Sequence, residues 1–311
     1  MHPESVIVLG ATGNVGSIVA ANLHKDGVET FLASRSVNKP VPSEISDLER
    51  YQIDLTKPDT VQVAVEQTGA TRAFMYCLME SQDGMRSVIE ALKKGGIRFV
   101  VLLSSYIARG NKRNYNPASN FMAYTHARVE INLEEVFGAD GGYLAVQPGY
   151  YATNSLRWKD MIASGTVSLA YPEASFNWTS SQDIGLVCSR ALIHGPYKDI
   201  NNNVITISGP EILSQRQAID IIGGAIGKPL RLKELNDEEA VAFWIEQAHL
   251  PETDAKALIS IFQARARNQD DLTEYHAGSD RLAHVGNIAK YGGREATRFE
   301  QWVIENKEAF L

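Results

Sequence analysis

The residues Gly10-Ala11-Thr12-Gly13-Asn14-Val15-Gly16 directly follow the apolar run Val6-Ile7-Val8-Leu9. That spacing suits one piece of chemistry, the cradling of a pyrophosphate on backbone amides at the start of a helix. Gly10 permits the tight turn, Gly13 keeps a Cβ out of the approach path, and Gly16 lets the helix pack close to the sheet. Thr12, Asn14 and Val15 bring further N–H groups to the same turn. A glycine turn without a ligand is the plainer reading. The strand before the turn and the helical stretch Ile18–Leu23 after it favour the cradle.

The second candidate group closes the next strand. Ala33-Ser34-Arg35-Ser36 carries no acid, and an acid there would hold the ribose hydroxyl of NAD. Arg35 can instead fork onto a 2′-phosphate, Ser34 and Ser36 can donate hydroxyl bonds, and Lys39 can add a second counter-charge. The expected cofactor is therefore NADP(H). The alternative is that Arg35 is a solvated loop cation. Further pocket candidates stand where later strands end: Tyr76, Met79 and Glu80, then Tyr106, then Tyr150, Tyr151 and Asn154, with Trp158 and Trp178 beyond. Such aromatics suit a planar apolar ligand, although each alone is more often core. Glu80 could serve as an acid or base if burial raised its pKa; otherwise it is a solvated loop carboxylate.

These residues need a scaffold that delivers strand ends to one edge. Strand candidates are Val6–Leu9, Thr30–Ala33, Tyr51–Ile53, Ala73–Tyr76, Phe99–Leu103 and Tyr143–Val146. Amphipathic helical stretches at Gly16–Lys25, Thr60–Gln67, Gly84–Lys94 and Phe121–Phe137 lie between them. Strand–helix alternation of this kind predicts an α/β fold, a Rossmann-type doubly wound parallel sheet. After Pro148-Gly149 the pattern loosens into a smaller, mostly helical C-terminal lobe: Asp183–Leu192, Ser214–Ile226 with Ser214 as cap and Gly227 as stop, Asp237–Gln247, Asp254–Ala266 and Ala296–Lys307. The division expected is 1–149 for the cofactor domain and 150–311 for the substrate lobe, with the strand at 204–207 returning to the main sheet. Ligands of open α/β sheets bind beyond the carboxyl ends of the strands, so the cleft is expected between sheet and lobe.

Bulk properties narrow the partners. The 311 residues carry 30 basic and 37 acidic side chains, net −7, with no basic block, which argues against nucleic acid. No apolar run approaches membrane-spanning length. The two cysteines, Cys77 and Cys188, sit in apolar surroundings and read as buried thiols of a reducing compartment. The N-terminal run breaks at Gly10 without a positive leader, so a cytoplasmic monomer or homodimer acting on a small molecule is expected. The seven histidines are scattered and no metal site is expected.

With these residues in view, the chain resembles the NmrA-like branch of the atypical short-chain dehydrogenase/reductases. The resemblance is carried by Gly10–Gly16, Ser34-Arg35, Asp54-Leu55, Leu103-Ser104-Ser105, Pro148-Gly149-Tyr150-Tyr151-x-x-Asn154, Gln182-Asp183-Ile184-Gly185 and Ser208-Gly209-Pro210-Glu211. It implies a cofactor site extending from the turn to Asp54, Leu55, Tyr76, Cys77, Ser104, Pro148, Tyr150 and Tyr151. Asp54 would contact adenine, or else simply cap the next helix. The resemblance also implies a Ser and a Tyr-x-x-x-Lys, in which Tyr gives a proton to substrate and Lys lowers its pKa and holds the ribose. Ser104 and Ser105 stand at the serine position, and Tyr124-Thr125-His126-Ala127-Arg128 replaces Lys by Arg. A guanidinium can stabilise a tyrosinate but cannot relay a proton. Tyr124 and Arg128 are either a modified pair or ordinary surface residues one helical turn apart. Gln147 stands where an Arg is common before Pro-Gly.

Three functions follow. The first is NADPH-dependent reduction of a C=O, C=C or C=N group in an aromatic, secondary-metabolite substrate. The second is NADP-retaining non-redox acid/base chemistry, such as a cyclisation, and the third is a non-catalytic NADP(H)-sensing regulator. The candidate catalytic set is Tyr124, Arg128, Ser105, Glu80 and Tyr106.

Overall fold

A computed structural model describes residues 5–118, 120–138, 142–248, 251–267 and 279–311. The chain opens with β1 (Val6–Leu9), whose four side chains are all inaccessible to solvent. Then come α1 (Asn14–Lys25), β2 (Thr30–Ser34), β3 (Arg50–Gln52), α2 (Pro58–Thr68), β4 (Arg72–Tyr76) and α3 (Arg86–Gly95). Next are β5 (Phe99–Leu103), α4 (Phe121–Phe137) and β6 (Tyr143–Pro148). Much later, β9 (Val204–Ile207) joins the same sheet. The strand order is β3-β2-β1-β4-β5-β6-β9, and every pairing is parallel. Helices cover both faces, which is why β1, β5 and β6 read as unbroken apolar runs. On one face α1 packs against α6 (Ser181–His194); on the other α2, α3 and α4 pack in succession. The reversal of strand order between β1 and β4 gathers the ends of β1, β2, β4 and β5 into one crevice.

The chain divides into two units, and the first is not continuous. It comprises Met1–Gly149, Ser181–Ile207 and Asn287–Arg294. The segments holding α6 and residues 287–294, which the sequence reading left with the second lobe, thus belong with the sheet. Within this unit the carboxylate of Asp183, fully buried at the start of α6, is 2.7 Å from Arg294 Nη2.

The second unit comprises Tyr150–Ser180, Ser208–Gly286 and Glu295–Leu311. It carries two small sheets besides its helices. β7 (Thr166–Leu169) pairs parallel with β11 (Arg231–Glu234), and β8 (Ser175–Phe176) pairs antiparallel with β10 (Leu213–Ser214). Helix α7 (Gln215–Ile226) starts on a reciprocal cap: Gln217 N donates to Ser214 Oγ at 3.2 Å, and Ser214 N donates to Gln217 Oε1 at 2.8 Å. The last α-helix is shorter than the expected Ala296–Lys307, running Phe299–Glu305. The reason for the later start is Glu211, whose carboxylate pairs with Arg298 at 2.6 Å and accepts from Phe299 N at 3.1 Å. An acid at a helix start satisfies an orphan N–H and so fixes where the helix begins.

Candidate active site

The sheet crevice of the first unit holds a cavity of about 480 Å³. One wall is the glycine turn, from Gly10 through Thr12 and Gly13 to Asn14, Val15 and Gly16. Gly10 has φ +73° and donates to Ala33 O at 2.8 Å, fixing the turn to β2. Gly16 has a stricter role than helix–sheet packing. A Cβ there would stand 2.3 Å from Gly10 O, so the helix could not start this close to the turn with any other residue. At Gly13 an added Cβ would be 3.3 Å from Gly10 O, a tight contact but not a collision. Gly13 caps α1 without a side-chain hydrogen bond, and the first turn of α1 carries no acid. Its leading N–H groups, which have no partner inside the helix, face the cavity as an anion site.

The far wall is cationic. Ser34, Arg35, Ser36 and Lys39 all line the cavity. Ser34 Oγ donates to Ser36 O at 3.0 Å. Arg50 of β3 pins the loop beyond, donating to Val37 O at 2.9 Å and to Lys39 O at 3.1 Å. The floor is Ile53, Leu55, Phe74, Tyr76 and Leu103. The ring of Tyr76 lies against Gly10, with Cε1 2.5 Å from where a Cβ would be. Burial pushes the Tyr76 hydroxyl pKa up, and the Arg35 charge opposes that shift. The donor set therefore fits a dinucleotide with a 2′-phosphate: amides for the pyrophosphate, two cations and no acid at the end of β2. Ile53, Phe74 and Leu103 were missed from sequence because they read as ordinary core.

Other expected residues lie elsewhere. Asp54 is not among the lining residues. Its carboxylate accepts from Thr56 N at 2.9 Å and Thr56 Oγ1 at 2.7 Å, and these bonds, with Lys57 and Arg35 assisting, hold its pKa down. Asp54 thus closes a turn ahead of α2 and is not the cap of that helix, a place held by Lys57 with no side-chain cap bond. Cys77 is half-buried just past β4, its thiol pushed up to about 12 by burial and then by the charges of Glu130 and Glu80. Pro148 ends β6. In the second unit, the Tyr150 ring stacks on Phe176 at 4.0 Å, and Tyr151 bridges to Thr179. Trp178 is 1 % exposed and meets Trp158, Phe176 and Phe299 ring to ring. Trp158 and Trp178, proposed as ligand surfaces, are the aromatic core of their unit.

Among the candidate catalytic residues, Tyr124 and Arg128 do share a helix face, the guanidinium carbon 5.9 Å from the ring centroid. Tyr124 is half-buried and Arg128 exposed. Arg128 Cβ would be 3.0 Å from a Cβ added at Gly84, so the residue leans on the loop before α3. Ser105 is the cap of a 3₁₀ turn, accepting from Ile107 N at 3.4 Å. Tyr106 opens that turn with the Arg109 guanidinium 5.0 Å above its ring. Glu80 is exposed, so the burial on which its acid/base reading depended is missing.

The carboxylate buried in this region is Glu130 of α4, at 0 % exposure. Ser104 Oγ donates to Glu130 Oε1, Gln147 Nε2 donates to the same oxygen at 2.8 Å, and Lys112 Nζ lies 2.7 Å from Oε2. One turn earlier, His126 is half-buried; its Nδ1 is shielded from solvent with no hydrogen-bond partner among the described residues, and desolvation pushes its pKa down to about 4. A signal for Glu130 existed: it interrupts the buried stripe Ala123–Ala127–Glu130–Leu133 with an acid.

Comparison with known proteins agrees with the fold. A family model described as the NmrA-like family matches residues 3–302. The "Nitrogen metabolite regulation-like protein bik4" of Gibberella fujikuroi is 32 % identical, over 97 % of this chain and 96 % of that one. The NAD(P)H azoreductase of Xenophilus azovorans is 23 % identical over 98 % of this chain and 99 % of its own. Among solved structures, the Citrobacter sp. triphenylmethane reductase complexed with NADP(H) superposes with a TM-score of 0.73 at 17 % identity, covering 98 % of this chain and all (100 %) of that one.

Proposed function

Since the chain belongs to the NmrA-like family, we propose that it is an NADPH-dependent reductase of a C=O, C=C or C=N group in an aromatic, secondary-metabolite substrate. The observation that carries this is the cavity whose phosphate turn and acid-free cationic wall suit NADP(H). The names of two similar proteins, an azoreductase and a triphenylmethane reductase, support reduction and a substrate with aromatic rings. When bound, NADPH supplies the hydride. The chain supplies the rest: the amides of Asn14, Val15 and Gly16 hold the pyrophosphate, Arg35 and Lys39 hold the 2′-phosphate, and Tyr76 walls the cavity beside Gly10. Tyr124 is the proton donor in this reading.

The test is a panel of azo, triphenylmethane and quinone substrates offered with NADPH deuterated at the transferable position. One NADPH consumed per product, with deuterium in the product, is expected. Tyr124→Phe should lower turnover by about 10²–10⁴, the worth of a positioned proton donor. Product formed without label or NADPH consumption overturns the reductase reading in favour of non-redox chemistry. A second reading, an NADP(H)-sensing regulator, is favoured by the 32 % relative, whose name refers to nitrogen metabolite regulation. Cofactor binding without turnover on any substrate, unaffected by Tyr124→Phe, is its signature.

A further inference from the structure

Glu130, Lys112, Ser104 and Gln147 come from four separate segments of the first unit and meet on one carboxylate. Glu130 is fully buried and the Lys112 side chain is only 14 % exposed. A buried ion pair is a weak source of stability, because desolvation offsets its Coulomb energy, and apolar side chains would fill the space as well. Charged groups arranged at strand ends are more often kept for what they do to a bound molecule. The position fits: Leu103 lines the cavity, Ser104 is the next residue, and Glu130 binds its hydroxyl.

We infer that the Lys112–Glu130 pair is the charged element at the reacting end of the cofactor cavity, with Lys112 as the cation that stands in for the lysine of Tyr-x-x-x-Lys and Glu130 as the residue that positions it. Arg128, which occupies that lysine's place in the sequence, is exposed and leans on Gly84. The inference rests on the NADP(H) reading above. In the wild type the pair is neutral, so it favours neither redox form. The oxidised nicotinamide ring carries one positive charge that the reduced ring lacks, while the phosphate charges are common to both. The ratio of NADP⁺ to NADPH affinity therefore reports the charge near the ring alone.

The experiment is calorimetric titration of the full chain with NADP⁺ and with NADPH, at pH 8 and low salt. Glu130→Gln leaves Lys112 without its counter-charge and should weaken NADP⁺ relative to NADPH by about three- to tenfold, the effect of one unit charge across a protein pocket. Lys112→Met, a change at a partly exposed turn, should move the ratio the other way. The double variant Glu130→Gln/Lys112→Met should return it to within about twofold of wild type. Opposite shifts that cancel are beyond a merely structural role, which lowers both affinities together. Should one single variant fail to fold, the other still decides through the sign of its shift. A ratio unmoved in the folded variants overturns the inference while leaving the cofactor reading intact. Wild-type protein that binds neither NADP⁺ nor NADPH overturns the cofactor reading itself, and this inference with it.

Discussion

The cationic wall gives the sharpest quantitative expectation. Arg35 and Lys39 both line the cavity where β2 ends, and both are exposed. A charge-assisted hydrogen bond contributes about 1.5–3 kcal/mol, and exposure to solvent places Arg35 at the lower end of that range. Arg35→Ala should therefore cost about 1.5 kcal/mol in NADPH binding, roughly tenfold in Kd. Removing Lys39 as well should bring the loss to roughly a hundredfold if the two contributions add. The loop should survive both changes, because Arg50 holds it through the backbone carbonyls of Val37 and Lys39. NADH has no 2′-phosphate, so its affinity should change by less than about twofold. Exposure also means that salt screens the contact, so the preference for NADPH over NADH should shrink as salt is raised toward 1 M, where the Debye length is about 3 Å. Calorimetry with both nucleotides on wild type and variants decides the matter. Equal wild-type affinities for NADH and NADPH, or an Arg35→Ala variant that loses both alike, would refute the assignment of this wall to a 2′-phosphate.

Two glycines of the turn should fail in different ways. Gly13→Val should fold and lose dinucleotide binding, since its Cβ meets only Gly10 O at 3.3 Å while its methyls fill the anion site; retained binding in a folded variant would remove the turn from the site. Gly16→Ala should instead lose stability by about 2–3 kcal/mol, read in urea unfolding, because its Cβ would press on Gly10 O at 2.3 Å. His126, pushed down to about 4 by burial, is neutral in the fold. Its contribution to stability is present above its unfolded pKa of about 6.5 and is lost as pH falls toward 4, up to about 3 kcal/mol. His126→Leu should flatten that part of the stability–pH curve relative to wild type, and parallel curves would show that the imidazole does not titrate as described. Cys77, with its thiol at about 12, and the more deeply buried Cys188 should resist a thiol reagent such as Ellman's at pH 8 until the chain unfolds; fast labelling of native protein would contradict their burial.

What the sequence revealed was what is decided locally. The turn Gly10–Gly16, the run Phe99–Leu103 and the Ser214–Gln217 cap are each fixed by residues within a few positions, so type and spacing suffice to read them. The extent of α4 was legible too, but the identity of its important acid was not. Glu130, Glu134 and Glu135 look alike in sequence. Only Glu130 meets Ser104 and Gln147, which lie 26 and 17 residues away on neighbouring strands. Tyr124 and Arg128 drew attention because their spacing matches a known pattern, whereas Lys112 matches none and comes from a loop. The aromatics after β6 misled for a related reason. A tryptophan in a core and one in a ligand site have the same local sequence, and Trp178 became core through partners as distant as Phe299.

The interrupted course of the chain has a practical corollary. A fragment ending at Gly149 would contain the glycine turn, Arg35 and Lys39, and would look like a portable nucleotide-binding module. It would nevertheless lack α6, which shields α1, and β9, which pairs with the edge of β6. The fragment would present an apolar helix surface and a row of unpaired strand amides to its neighbours, the usual prelude to aggregation. Grafting or swapping the binding half of this protein therefore requires carrying residues 181–207 and 287–294 along with it.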